Sequence, residues 1–257
     1  MQAAPQKPLL EAKNVSMQYG DFVALQDVSL SLHADELVSI VGPNGAGKTT
    51  LMNVLTSLHQ PSKGTVEFAG EDLARMGIVE LSTRGLARAF QLVSIFPELT
   101  VRETLATAVS SYQGMRWRMF DNIRGNARSN EILERIAEAF GLASSLDVKS
   151  SSLPHGKRKL LDVASALALH PKVLLLDEPT AGVSTADKYT VMETLLAAAR
   201  TMGVQSIMLV EHDMDLVSRY SSRIVAMQGG KKLADLPAKE FFENEEVLSI
   251  VVGKGVH

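Results

Sequence analysis

The sequence has no cysteine. That excludes disulfides, thiolate metal sites and a cysteine nucleophile, and it suits a reducing compartment. It also lacks any apolar run approaching the ~18 residues that a membrane span requires. Residues 1–8 are polar and read as a loose leader without a secretory apolar core, so a cytoplasmic location is expected. Basic excess is missing as well. The formal net charge is −3, whereas a nucleic-acid partner calls for a basic face, so none is expected. No internal repeat or low-complexity segment interrupts the chain. What remains is 257 residues of ordinary globular composition, long enough for one large domain with a subdomain.

One string carries most of the chemistry. Gly42-Pro43-Asn44-Gly45-Ala46-Gly47-Lys48-Thr49 fits G-x-x-x-x-G-K-[ST], the phosphate-binding loop of nucleoside triphosphatases. Gly42, Gly45 and Gly47 permit backbone conformations that a side chain would block, and they let amides close on a polyphosphate. Lys48 supplies a compact positive charge, and Thr49 a hydroxyl oxygen for Mg²⁺. The flanks agree. Leu37-Val38-Ser39-Ile40-Val41 predicts a buried strand, and a helix is predicted to open at Thr50, adding its dipole to the anion site. Candidate nucleotide contacts are therefore Gly42, Pro43, Asn44, Gly45, Ala46, Gly47, Lys48, Thr49 and Thr50.

The rest of the chain alternates strand and helix. Strands are predicted over 9–15, 28–32 and 65–68, with a turn at Tyr19-Gly20-Asp21 and another at Pro61-Ser62-Lys63-Gly64. Residues 101–142 change to helical spacing, with Thr100 as cap and Glu103 three residues on; within them lies an irregular basic stretch, 114–128. Val173-Leu174-Leu175-Leu176 is a short apolar run of the kind found in central parallel strands. Residues 205–210 and 223–227 are two more, and Gly229-Gly230 signals a hairpin. The pattern predicts an α/β fold with a helical insertion in its middle.

Further candidate groups sit at strand ends. Asp177 and Glu178 follow the run 173–176, a costly place for two carboxylates unless they serve a cation or a reaction. Asp177 is the candidate Mg²⁺ ligand and Glu178 the candidate general base. His212 follows the strand 205–210 and is placed to donate a hydrogen bond to a γ-phosphate. Gln91 offers a neutral amide to Mg²⁺ or to the attacking water. Tyr19 either stacks on adenine or is a core tyrosine beside a turn.

Six of these features in this order resemble the ATP-binding subunit of an ABC transporter: Tyr19, the phosphate loop, Gln91, a signature at Leu153-Pro154-His155-Gly156-Lys157, the strand end Leu176-Asp177-Glu178-Pro179, and His212. The resemblance implies a P-loop NTPase with a RecA-like core, an antiparallel β subdomain and an inserted helical subdomain. The core would comprise 9–92 and 161–257, and the helical part 93–160. It implies ATP and Mg²⁺ as cofactors, with Thr49, Gln91 and Asp177 toward the metal and Glu178, His212 and Gln91 in hydrolysis. It further implies head-to-tail pairing with a second ATPase subunit, a different polypeptide or another copy. Pro154, His155, Gly156 and Lys157 would then meet the opposite nucleotide.

Two departures refine the likeness. The common signature is Leu-Ser-Gly-Gly-Gln; Pro154 brings neither hydroxyl nor amide hydrogen, which leaves the Gly156 amide as donor. Ser184 stands where many members have Asp. Together with Phe90-Gln91 and Phe96-Pro97-Glu98-Leu99-Thr100-Val101, these features are similar to the larger ATPase of branched-chain amino-acid importers. Urea or amide importers, lipid exporters and soluble switch ATPases are the alternatives. Expected partners are integral-membrane permease subunits and, indirectly, an external solute-binding protein, with this chain peripheral on the cytoplasmic face of the inner membrane. Residues 93–97 are the candidate permease groove. Arg116-Trp117-Arg118-Met119-Phe120 is either a lipid or permease contact or a packed helix with solvated arginines.

Overall fold

A computed structural model describes residues 7–89, 97–112 and 127–252. The first third forms β1 (Leu10–Tyr19), β2 (Phe22–Leu32), β3 (Leu37–Val41), α1 (Lys48–Leu55), β4 (Lys63–Phe68), β5 (Glu71–Asp72) and α2 (Ile78–Arg84). The middle forms β6 (Leu86–Ala89), α3 (Val101–Tyr112), α4 (Ala127–Ala139) and α5 (His155–Leu167). Then come β7 (Val173–Asp177), α6 (Thr185–Thr201), β8 (Ser206–Val210) and α7 (Met214–Tyr220). The chain closes with β9 (Arg223–Gln228), β10 (Lys231–Pro237), α8 (Ala238–Glu243) and α9 (Glu245–Val252). Two compact units result. One comprises Met1–Leu81, Leu175–Glu178 and Gln205–His257; the other comprises Ser82–Leu174 and Pro179–Val204.

In the first unit an antiparallel sheet runs β2-β1-β4-β5. Its first two strands are longer than the sequence predicts, because the pairing passes through bulges between Ala12 and Val15 and again between Val15 and Met17. Asn14 and Asp27 take left-handed backbone there, with φ of 49° and 53°. Serines patch the interrupted ladder: Ser29 Oγ accepts from the Asn14 amide and Ser16 Oγ from the Asp27 amide. Polar residues at the bulge break the alternation that marks a strand in sequence.

The second sheet of this unit has the order β10-β9-β3-β8-β7. β3 pairs parallel with both β8 and β9, and β9 pairs antiparallel with β10 across the Gly229-Gly230 turn, Gln228 opposite Lys231. Every residue of β7 and β8 is buried, as are four of the five in β3. Such runs are what a parallel sheet covered on both faces needs. Phe241, Val217, Ile224 and Ala226 form the core beneath β9, closed by Val247 of α9. The parallel arrangement brings the C-terminal ends of β3, β7 and β8 to one edge, where α/β sheets bind ligands.

The second unit is mainly helical. The predicted cap is a reciprocal box: the Thr100 amide donates to Glu103 Oε2 at 2.9 Å and the Glu103 amide to Thr100 Oγ1 at 3.2 Å. α3 packs on α4 and α5, and α5 packs on α6. Leu105, Leu133, Ile136, Leu161 and Leu167 are buried among them. Gly85, ahead of β6, accepts the amides of Lys172 and Val173.

Candidate functional site

The phosphate loop leaves β3 at Gly42, whose φ is 149°. A Cβ at this position would stand 2.2 Å from the carbonyl oxygen of Met227 in β9, so only glycine fits. The loop ends in α1, which begins at Lys48, two residues earlier than the sequence predicts. No side chain caps that N-terminus, so its first-turn amides are available to an anion. Lys48 is 6% exposed. Its Nζ donates to the carbonyls of Gly42 at 2.7 Å and Pro43 at 3.0 Å. Burial pushes its pKa below the ordinary lysine value, while the negative charges of Glu178 and then Asp177 pull it back up. The cation thus feels both carboxylates.

Asp177 ends β7 and is 4% exposed. Glu178 follows with φ of 49°, an uncommon conformation for a residue with a side chain. It is held by its amide, which donates to the Val210 carbonyl at 2.9 Å, and by its side chain, whose Oε1 lies 2.9 Å from His212 Nε2. Against a carboxylate, which only accepts, the imidazole Nε2–H is the donor in this contact. Behind it, the buried Glu211 carboxylate accepts the His212 amide at 2.9 Å and fixes the loop after β8.

These groups converge on one cavity of about 220 Å³, lined by Phe22, Ala24, Asn44, Gly45, Ala46, Gly47, Lys48, Thr49, Thr50, Glu178 and His212. Nine of the sequence-predicted residues therefore meet there. Gly42, Pro43 and Asp177 stand behind the lining as backbone and charge. Tyr19 is not in the wall. Its hydroxyl is 3.3 Å from His59 Nδ1 and its ring meets that imidazole edge-on at 5.9 Å. The aromatic wall is Phe22, 66% exposed, which sequence reasoning missed. Its only signal was an aromatic placed directly after the Gly20-Asp21 turn.

The signature lies in the second unit. Pro154 is the N-cap of α5. The His155 ring lies against Gly182, where a Cβ would come within 2.9 Å of Cε1. Its Nδ1 is buried without a hydrogen-bond partner among the described residues, and burial, then the charges of Arg158 and Lys159, lowers its pKa. Lys157 Nζ reaches Ser145 Oγ at 3.4 Å. Ser184 caps α6, donating to Asp187 Oδ2 at 2.6 Å and accepting the Asp187 amide. Gln91, residues 93–96 of the candidate groove and the segment 116–120 lie outside the described residues.

Comparison with known proteins agrees with this geometry. Residues 25–181 match the family model described as ABC transporter. LivG of Salmonella typhimurium, a high-affinity branched-chain amino acid transport ATP-binding protein, is 33% identical over 255 residues, covering 96% of this chain and 99% of its own. BraF of Pseudomonas aeruginosa, of the same description, is 30% identical over 253 residues, with 96% and 99% covered. Among solved structures, the ADP conformation of MJ1267, an ATP-binding cassette of an ABC transporter, superposes with a TM-score of 0.82 at 27% identity, covering 97% of this chain and 100% of that one.

Proposed function

The chain belongs to the ABC transporter family, as a nucleotide-binding P-loop subunit, and on that premise we propose that it hydrolyses ATP to drive import of branched-chain amino acids through a membrane permease. The observation that carries hydrolysis is the shared cavity of Lys48, Glu178 and His212; the transport role and the solute class are supported by the likeness to LivG and BraF. The backbone of 44–50 wraps the phosphates, Lys48 neutralises them, and Phe22 offers a face to the base. Glu178 takes a proton from water as the water oxygen bonds to the γ-phosphorus. The bond from that phosphorus to the β–γ bridging oxygen breaks, and ADP leaves with the oxygen. His212 orients the carboxylate through its Nε2–H.

Mg²⁺ fits the donor set. Among the described residues no group of three or more His, Cys, Asp or Glu forms a cage of its own. Magnesium in phosphate sites needs only one or two carboxylates, the remaining positions being filled by neutral protein oxygens, phosphate and water. Thr49 and Asp177 would hold it, and it would neutralise charge on the transferring phosphoryl group. Gln91 is the third proposed ligand. Pro154, His155, Gly156 and Lys157 are proposed to serve the nucleotide of a second ATPase subunit, with the Gly156 amide replacing the donor that Pro154 cannot supply. Solute selectivity then belongs to the permease and an external binding protein. The test is phosphate release by the chain reconstituted with its permease. Release that rises with solute-loaded binding protein, and is abolished by Lys48→Ala, is expected; release indifferent to the permease refutes coupling.

A further inference from the structure

The Gly229-Gly230 turn does more than join β9 to β10. The Gly230 amide donates to the Ala46 carbonyl of the phosphate loop at 3.1 Å, and the Gly230 carbonyl accepts the Gln26 amide of β2 at 2.8 Å. One residue therefore bonds on one side to the cradle and on the other to the strand that carries Phe22 and Ala24, the far wall of the same cavity. The approach is close. A Cβ on Gly230, whose φ is 77°, would stand 2.7 Å from the Ala24 carbonyl oxygen and 3.4 Å from Leu25 Cα. Both obstacles are backbone, which cannot rotate away. Its neighbour Gly229 has φ of 54° and nothing within 4 Å of where a Cβ would be.

We propose that Gly230 is a positioning residue for the nucleotide, a backbone clip that sets the spacing between the phosphate cradle and the β2 wall facing the base. The proposal rests on the nucleotide reading above and deepens it. A ligand spanning both ends of the cavity is sensitive to that spacing; one filling the cradle alone is not. Binding sites tolerate only a fraction of an ångström of such displacement. An added methyl at 230 pushes on Ala24 and so moves the β2 wall, while the Gly230–Ala46 hydrogen bond keeps the turn on the cradle.

The pair Gly230→Ala and Gly229→Ala tests this, since both place a side chain at positive φ but only the first meets a wall. Affinities for MgATP and for inorganic tripolyphosphate are measured by calorimetry on the full chain. Gly230→Ala is expected to lose about tenfold or more in ATP affinity and to hold tripolyphosphate within about twofold. Gly229→Ala is expected to keep both within about twofold. Equal ATP affinity in the two variants overturns the proposal. So does a parallel loss of ATP and tripolyphosphate, which marks general loosening. A parent protein that binds neither ligand overturns the nucleotide reading itself, and the clip with it. Amide hydrogen exchange on the parent gives a second readout that needs no variant to fold. Protection at Gln26 and Gly230 should rise with ATP and not with tripolyphosphate; no change with ATP contradicts the clip.

Discussion

A methyl group on Gly42 would overlap the Met227 carbonyl at 2.2 Å. Relief requires the loop or β9 to shift, and backbone strain of this kind costs on the order of 1–3 kcal/mol. Gly42→Ala should therefore weaken ATP binding by about five- to 150-fold, read by calorimetry. At Lys48 the direction of the pKa shift sets a pH dependence. Burial lowers its value in the free protein, whereas phosphate favours the ammonium, so binding takes up a proton once the free lysine begins to deprotonate. ATP affinity should be flat near neutrality and fall as pH rises through the lowered pKa, before the ordinary 10.5. Lys48→Arg, which does not titrate in that range, should bind without this alkaline fall. Loop, lysine and both carboxylates were legible in sequence because their chemistry is written in consecutive residues. Phe22 was not. Its place in the wall depends on β2 running beside the loop, a contact with no local signature.

At the scale of elements, parallel strands and the Thr100 cap read well from sequence, while bulged strands did not. β7 and β8 carry continuous apolar runs and β3 one broken only by Ser39, and a short apolar run marks a buried strand. β1 and β2 extend past the predicted ends because Ser16 and Ser29 repair the ladder from the partner strand, which periodicity within one strand cannot show. The Thr100–Glu103 box was found from spacing alone. Thr100→Ala should cost about 1 kcal/mol in urea unfolding. The start of α5 carries a pH signature. His155 has a lowered pKa from burial and then from Arg158 and Lys159. Between that lowered value and the ordinary 6.5 the unfolded chain binds more protons. Stability should therefore rise with pH across this window and decline as pH falls through it. His155→Phe should flatten that acid limb in thermal melts at graded pH.

For the molecule as a whole, the proposed function draws on groups far apart in sequence that meet in one cavity. Residues 22, 44–50, 178 and 212 share a cavity, and the turn at 229–230 bonds back to Gln26 and Ala46. The sequence named most of these residues, and the order of its motifs named the family. It did not show the turn as a support for the loop, since a hairpin signal is silent about what the hairpin touches. Ligand linkage follows from the assembled cavity. MgATP at 100 times its dissociation constant should stabilise the protein by about 2.7 kcal/mol, and Lys48→Ala should remove that gain in thermal melts. No helix among the described residues is long and apolar enough to cross a membrane. The central claim is that the glycine-rich loop and Glu178 act on one triphosphate. Single-turnover hydrolysis by Glu178→Gln in the assembled transporter tests it most directly, with bound ATP and released phosphate followed together. ATP held at parental affinity with release slowed by about 10²–10⁴-fold is the predicted result; phosphate release at the parental rate would contradict it.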